Sequence, residues 1–270
     1  MSPARGSRLR GPQLYSPEDI ECLDRVARRA RSGLSALLEL CRPGTTPASI
    51  AEACAKNTRL AHERTPMMGI SNRKGEVFGE PCAISVDDAV AHARSHRRSL
   101  RRGQLVSVDL MLSVGGWCAD VADTVVVGGV GHPLLEALDG VWEAGLAAMA
   151  PGRDWAEVAR AMADAAESSG VRLVRGLAGH GIGRACHELP VLPLTPGDAD
   201  PPIALRPGMV LTLEPAVTTG SGEIVEAGDG WALRTADGHP AAVRERMVAV
   251  GVGRVRVLGG SDGDSASGLG

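Results

Sequence analysis

Aromatic side chains are nearly missing from this chain: four Trp, one Tyr (Tyr15) and one Phe (Phe78) make up 2% of 270 residues. With so few rings, an aromatic cage around a substrate is not expected, and the core has to be built from Leu, Val, Ala and Met. The six cysteines, at 22, 41, 54, 82, 118 and 186, include no CxxC pair. That spacing excludes a zinc module and a disulfide framework, so free thiols in a reducing compartment are expected. No apolar run reaches the roughly 18 residues of a membrane span. The N-terminus is basic but has no apolar h-region, so no signal peptide is expected. A net charge of −3 leaves no nucleic-acid footprint. The arginine cluster Arg97, Arg98, Arg101 and Arg102 reads as a solvated turn. The expectation is a soluble, cytoplasmic protein without a membrane or nucleic-acid partner.

What the chain does have is an internal echo. Residues 100–109 read LRRGQLVSVD and residues 205–214 read LRPGMVLTLE. Each has Leu-Arg-x-Gly, an apolar strand-like run, and then a carboxylate, Asp109 or Glu214. A carboxylate in a buried strand is costly unless something positive meets it. Two of them, presented by matching halves, point to a shared cation.

The order of elements supports the duplication. Ser16-Pro17-Glu18-Asp19 starts a helix that stops at Arg42-Pro43-Gly44, and Thr46-Pro47 starts a second helix to about residue 63. Residues 64–81 read as a loop. Strands are expected at 82–86, 89–93, 104–114 and 116–127, the last two joined at Gly115-Gly116. Helices over about 132–150 and 154–169 follow, then strands at 171–176, 208–214, 222–226, 231–235, 241–250 and 253–258. Each half therefore reads helix, helix, antiparallel strands. Residues 1–14 read as a loose arm, 15–258 as one domain, and 259–270 (GGSDGDSASGLG) as a disordered tail.

Further acids fall into the same pattern. Asp120 lies across the expected hairpin from Asp109, and Glu245, in Val-Arg-Glu-Arg-Met, plays the corresponding part in the second half. His180 sits in Gly-His-Gly-Ile-Gly-Arg, where glycines let backbone pass close to a bound group. One imidazole and four carboxylates balance two divalent cations and suit Mn, Fe(II), Co or Zn. Two such metals about 3.5–4 Å apart would clamp a water and lower its pKa, which is hydrolytic machinery.

The motifs GQLVSVDL, Asp120-x-x-x-Thr124, GHGIGR at 179–184 with HELP at 187–190, and RPGMVLTLEP at 206–215 resemble those of the type I methionine aminopeptidases. The resemblance runs from residue 16 to about 257. It implies an α+β pita-bread fold, with a pseudo-two-fold pair of α-β halves, a curved antiparallel sheet and two divalent metals at the centre. The implied metal ligands are Asp109, Asp120, His180, Glu214 and Glu245. The implied catalytic residues are His92, His187 and Glu214, with His92 and His187 touching the substrate and Glu214 as proton shuttle. Trp231 matches a pocket aromatic. A monomer acting on peptides or nascent chains, close to the ribosome, is also implied. His62, His96, His132 and His239 match nothing and read as surface or structural.

Departures from the family cluster around the side-chain pocket. Residues 64–81 have no Tyr or Cys, Cys186 replaces an aromatic before His187, His92 is followed by Ala93, and the usual Glu-His-Thr is Glu245-Arg246-Met247. Weak or altered preference for N-terminal Met is therefore expected. Three alternatives stay open: a proline dipeptidase, whose usual extra N-terminal domain this chain has no room for; a hydrolase of altered specificity, for another N-terminal residue or a small metabolite; and a non-catalytic peptide-binding module, a class that typically loses metal ligands.

Overall fold

The computed structural model of the chain describes residues 11–129, 131–197 and 202–260. The first half contains α1 (Pro17–Leu38), α2 (Pro47–Leu60), a short 3-10 turn (Pro66–Gly69), β1 (Ala83–Val86), β2 (Ala89–Ala91), β3 (Leu105–Val114) and β4 (Trp117–Val126). The second half contains α3 (Pro133–Ala148) and α4 (Trp155–Ser168), then β5 (Arg172–Leu173), β6 (Ala178–Gly181), β7 (Glu188–Pro193), β8 (Val210–Leu213) and β9 (Ala216–Thr218). It ends with β10 (Ile224–Glu226), β11 (Leu233–Thr235), β12 (Ala241–Val243), β13 (Arg246–Val250) and β14 (Val255–Val257). Three helix starts are capping boxes, Ser16 with Asp19, Thr46 with Ser49 and Asp154 with Glu157, each satisfying two otherwise orphaned amides.

The sequence echo is a repeated turn. Gly103 and Gly208 take φ of +88° and +91°. Gln104 N–H donates to Arg101 O at 3.2 Å, and Met209 N–H donates to Arg206 O at 3.1 Å. A turn with positive φ at its third residue is type II, which needs Gly there and welcomes Pro207 at its second position. The turn launches β3 in one half and β8 in the other.

Two cores lie under the helices, and the first also takes in Ile182, Val210 and Met247 from the second half. Leu23, Leu37, Ile50, Ile84 and Leu112 fill the space between α1, α2 and the sheet β1-β3-β4. Leu134, Leu138, Trp155, Met162 and Leu213 fill the space between α3, α4 and the sheet β14-β13-β8-β6-β7. Two smaller sheets, β10-β11-β2 and β12-β9-β5, complete the strands. The halves are joined by the pairing of β2 with β11 and by a pair of backbone hydrogen bonds, Ala122 N–H to Glu245 O at 3.3 Å and Glu245 N–H to Ala122 O at 2.9 Å.

Several expected elements differ. The run 241–250 is two strands, because the chain changes sheets at Arg244-Glu245: β12 pairs with β9, and β13 pairs with β8 and β14. Strands β6, β7 and β9 were not expected. Residues 171–176 form strand only at Arg172–Leu173. Within 64–81 the chain makes the 3-10 turn. The arginines at 97, 98, 101 and 102 are exposed as expected. Residues 1–10 of the expected arm and 261–270 of the expected tail lie outside the described residues. Gly259 and Gly260 are tied to α1, through Asp24 at 2.8 Å and Arg28 at 3.0 Å. The cysteines are free. Among the described residues no helix is long and apolar enough to cross a membrane.

Candidate metal centre

Asp109 lies in the middle of β3 opposite Ala122, and Asp120 lies on β4 opposite Met111. The two acids are thus diagonal neighbours on one face of the hairpin, within reach of each other. The other half supplies His180 on β6, Glu214 just past β8, and Glu245 at the kink between β12 and β13. Because β6 and β13 both pair with β8, these three side chains come together. Ligand atoms of Asp109, Asp120 and Glu245 lie within 4.8 Å of one another, as do those of His180, Glu214 and Glu245, and those of Asp120, His180 and His187. Glu245 belongs to two of these groups, so the five expected ligands converge on one centre.

The electrostatics call for a cation. Asp120 and Glu245 are 2% and 4% exposed. Asp109 Oδ1, Asp120 Oδ1 and Glu245 Oε1 are buried without a hydrogen-bond partner. Such atoms carry the full cost of desolvation unless something positive meets them. Burial pushes the Asp109 carboxyl up to about 7 and Glu214 up to about 8. Asp120 and Glu245 are driven well above the usual carboxylate range by burial and by the neighbouring acids. Orphaned acid oxygens around a neutral imidazole are the donor set that hard to borderline divalent ions take.

His180 has a free ring nitrogen turned to the acids. Its Nδ1 lies 3.0 Å from Gly181 O, which places the ring proton on that nitrogen. Nε2 is left facing Asp120 Oδ2 at 3.8 Å and Glu214 Oε1 at 3.7 Å. Burial and the neighbouring His187 hold the imidazole down to about 3, so it is neutral at working pH. Thr212, absent from the sequence-based set, links two of the candidate ligands: its hydroxyl donates to Glu214 Oε1 at 2.6 Å and accepts from His180 N–H at 2.9 Å. The close approach needs Gly179, where a Cβ would fall 2.6 Å from Thr212 O. Thr124 of the D-x-x-x-T motif ties β3, β4 and β12 together through Ser107 at 2.8 Å and Val243 O at 2.9 Å.

His187 stands beside Asp120 and His180, and His92 lies near His187. His187 is exposed, with its ring centroid 4.4 Å from that of His180. His92, just past β2, takes a left-handed φ of +54°, a costly conformation for a residue with a side chain. Burial, with His187 nearby, lowers the His92 imidazole to about 4. Trp231 is buried and packs edge-on against Phe78 at 5.1 Å. The loop 64–81 therefore does contribute a ring, which its lack of Tyr concealed. Cys186 is buried beside His187. His62, His96 and His239 are exposed, and His132 caps α3.

A family model described as "Metallopeptidase family M24" matches residues 21–251. A methionine aminopeptidase of Treponema pallidum (strain Nichols) is 32% identical over 249 residues, covering 91% of this chain and 95% of its own length. The crystal structure of a methionine aminopeptidase from Thermotoga maritima superposes with a TM-score of 0.83 at 25% identity, covering 93% of this chain and 100% of that one. A prolidase from Pyrococcus furiosus shares the fold at a TM-score of 0.69 and 17% identity, and the match spans 66% of its length.

Proposed function

The chain belongs to metallopeptidase family M24, and on that premise we propose that its centre removes the N-terminal residue, methionine, from peptides and nascent chains. The fold is the α+β pita bread, with helices outside and the acids at the junction of the halves. The observation that carries the reading is the convergence of Asp109, Asp120, His180, Glu214 and Glu245, with three buried acid oxygens left without partners. These five would hold two divalent cations (Co, Mn, Fe(II) or Zn), whose Lewis acidity makes water a nucleophile at neutral pH.

The chain's own groups do the rest. Glu214 carries the proton from the attacking water to the leaving amine, with Oε1 held by Thr212. His92 and His187 contact the scissile peptide and the oxygen that becomes negative, typically a large catalytic contribution. Trp231, backed by Phe78, lines the side-chain pocket. Cys186, where relatives of the resembled type carry an aromatic, widens that pocket and weakens the hold on Met. Residues 15–258 form one catalytic domain, working as a cytoplasmic monomer close to the ribosome. The intact ligand set speaks against a non-catalytic binding module, and 32% identity to a methionine aminopeptidase, against 17% to the prolidase, speaks against a proline dipeptidase.

The test is hydrolysis of Met-Ala-Ser and a panel of X-Ala-Ser tripeptides with Co, Mn, Fe(II) or Zn, and with Asp109→Ala as control. Metal-dependent release of the first residue, abolished in the variant, is expected. A protein that binds two metals yet cleaves nothing would sink the reading. Full-rate cleavage confined to Met would remove the altered pocket from it.

A further inference from the structure

Tyr15 is the only tyrosine of the chain, yet it sits on the motif that carries His187. Its hydroxyl lies 2.9 and 2.8 Å from the two carboxylate oxygens of Glu188. Glu188 Oε1 in turn accepts from Arg184 N–H and Ala185 N–H, both at 2.9 Å, and Arg184 N–H also reaches the Tyr15 oxygen at 3.1 Å. The turn 183–188 is therefore closed on itself through a buried carboxylate, with the phenol as its outer latch. Gly183 leaves the room: a Cβ there would overlap the Tyr15 hydroxyl. The tyrosine is itself held, by its N–H donating to Gly208 O at 2.7 Å and by its ring packing edge-on to Trp117 at 5.8 Å. Arg184 covers the same indole, its guanidinium 3.3 Å from the ring centroid.

His187 is exposed, with its ring centroid 4.4 Å from that of His180. The backbone that carries it is the turn that Glu188 closes. We propose that Tyr15 is a positioning residue, which fixes His187 over the metal centre by latching Glu188 and the turn 183–188. This rests on the reading of the centre as an aminopeptidase site, and it adds a role for the segment before α1 that lies outside the ligand set. Burial and the adjacent carboxylate hold the phenol above its ordinary pKa, so the latch stays a donor throughout the working range.

The experiment is Tyr15→Phe, which keeps the ring and removes the hydroxyl. Three readouts are taken on the metal-loaded protein: kcat and KM on Met-Ala-Ser, metal content with the melting transition, and amide hydrogen exchange of residues 183–188. Losing a hydrogen bond to a charged group predicts a kcat about tenfold lower. KM should stay within about twofold, metal content and melting should be nearly unchanged, and Arg184 and Ala185 should exchange faster. An unchanged kcat with unchanged exchange would overturn the proposal, as would a kcat loss matched by loss of metal or of the melting transition. If Tyr15→Phe does not fold, Glu188→Gln asks the same question at the other end of the latch, with the same outcomes expected. A wild-type protein inactive on every peptide would sink the functional reading alone, because the exchange measurement still tests the latch.

Discussion

Thr212 shows how much one hydroxyl does at this centre. It is completely buried, and its Oγ1 both donates to Glu214 and accepts from the His180 backbone. Valine at this position keeps the shape but leaves the His180 N–H and one Glu214 oxygen without partners. Groups that orient metal ligands typically contribute 10–100-fold in metal affinity. Thr212→Val should therefore weaken Mn binding by about tenfold or more, read by titration against a competing chelator; an unchanged affinity would show that Glu214 is held without it. Thr212 was not legible in the sequence, where a threonine inside Val-Leu-Thr-Leu reads as an ordinary β-branched strand residue. The four acids and the imidazole were legible because a carboxylate within an apolar run, or a histidine among glycines, has no cheap structural explanation. Phe78 was missed for the opposite reason: a lone ring in a Gly- and Pro-rich loop carries no pattern, and only its contact with Trp231 gives it a place.

At the scale of elements, the junction of β4 with the start of β13 decides whether the halves meet in register. Arg246, which stands where the resembled family has His, spans that junction. Its guanidinium donates to Ala122 O and Glu245 O, both at 2.8 Å, and to Asp123 Oδ2 at 2.5 Å. Arg244 grips Asp123 from the other side at 3.4 Å. Arg246 and Asp123 are 13% and 18% exposed, so solvent screens the pair little. Breaking a buried ion pair by removing one partner costs on the order of 3 kcal/mol. Arg246→Met should lower unfolding free energy in urea by about that amount and weaken metal binding through Glu245, with Arg246→Lys intermediate; a variant as stable as wild type would show the clamp to be idle. The helices were legible from their caps and periodicity, and β3-β4 from its apolar runs joined at Gly115-Gly116. Strands β6 and β7 were not, since β6 is mostly glycine and histidine. In β7 the pattern is inverted, with Glu188 buried while Leu189 and Val191 are 40% and 56% exposed. The break at Arg244-Glu245 was hidden because the apolar run continues on both sides of it.

For the whole molecule, the centre is also the place where the two halves press like charges together, which makes stability depend on pH and on metal in a linked way. In the metal-free protein burial raises Asp109 to about 7 and Glu214 to about 8, above their unfolded values, and burial with the neighbouring acids holds Asp120 and Glu245 well above theirs. The folded state then binds more protons than the unfolded chain, so this contribution is full below the unfolded pKa and is lost as pH rises through the folded values. The buried imidazoles of His92 and His180 act in the reverse direction: held down to about 4 and about 3, their contribution grows with pH and is complete once the unfolded histidine, near 6.5, is neutral. Above that point the imidazoles no longer move, and the raised acids of the centre set its slope. The chelator-treated protein should therefore melt at progressively lower temperature from pH 6.5 to pH 8. With excess Mn the carboxylates stay ionised and paired, so the melting temperature should hardly fall, and the gap between the two curves should widen with pH. Calorimetry at pH 6.5, 7.2 and 8.0, with and without Mn, measures that gap directly. A gap of constant size would mean that the metal does not compete with protons for these side chains, and that the acids do not meet at one charge between the halves.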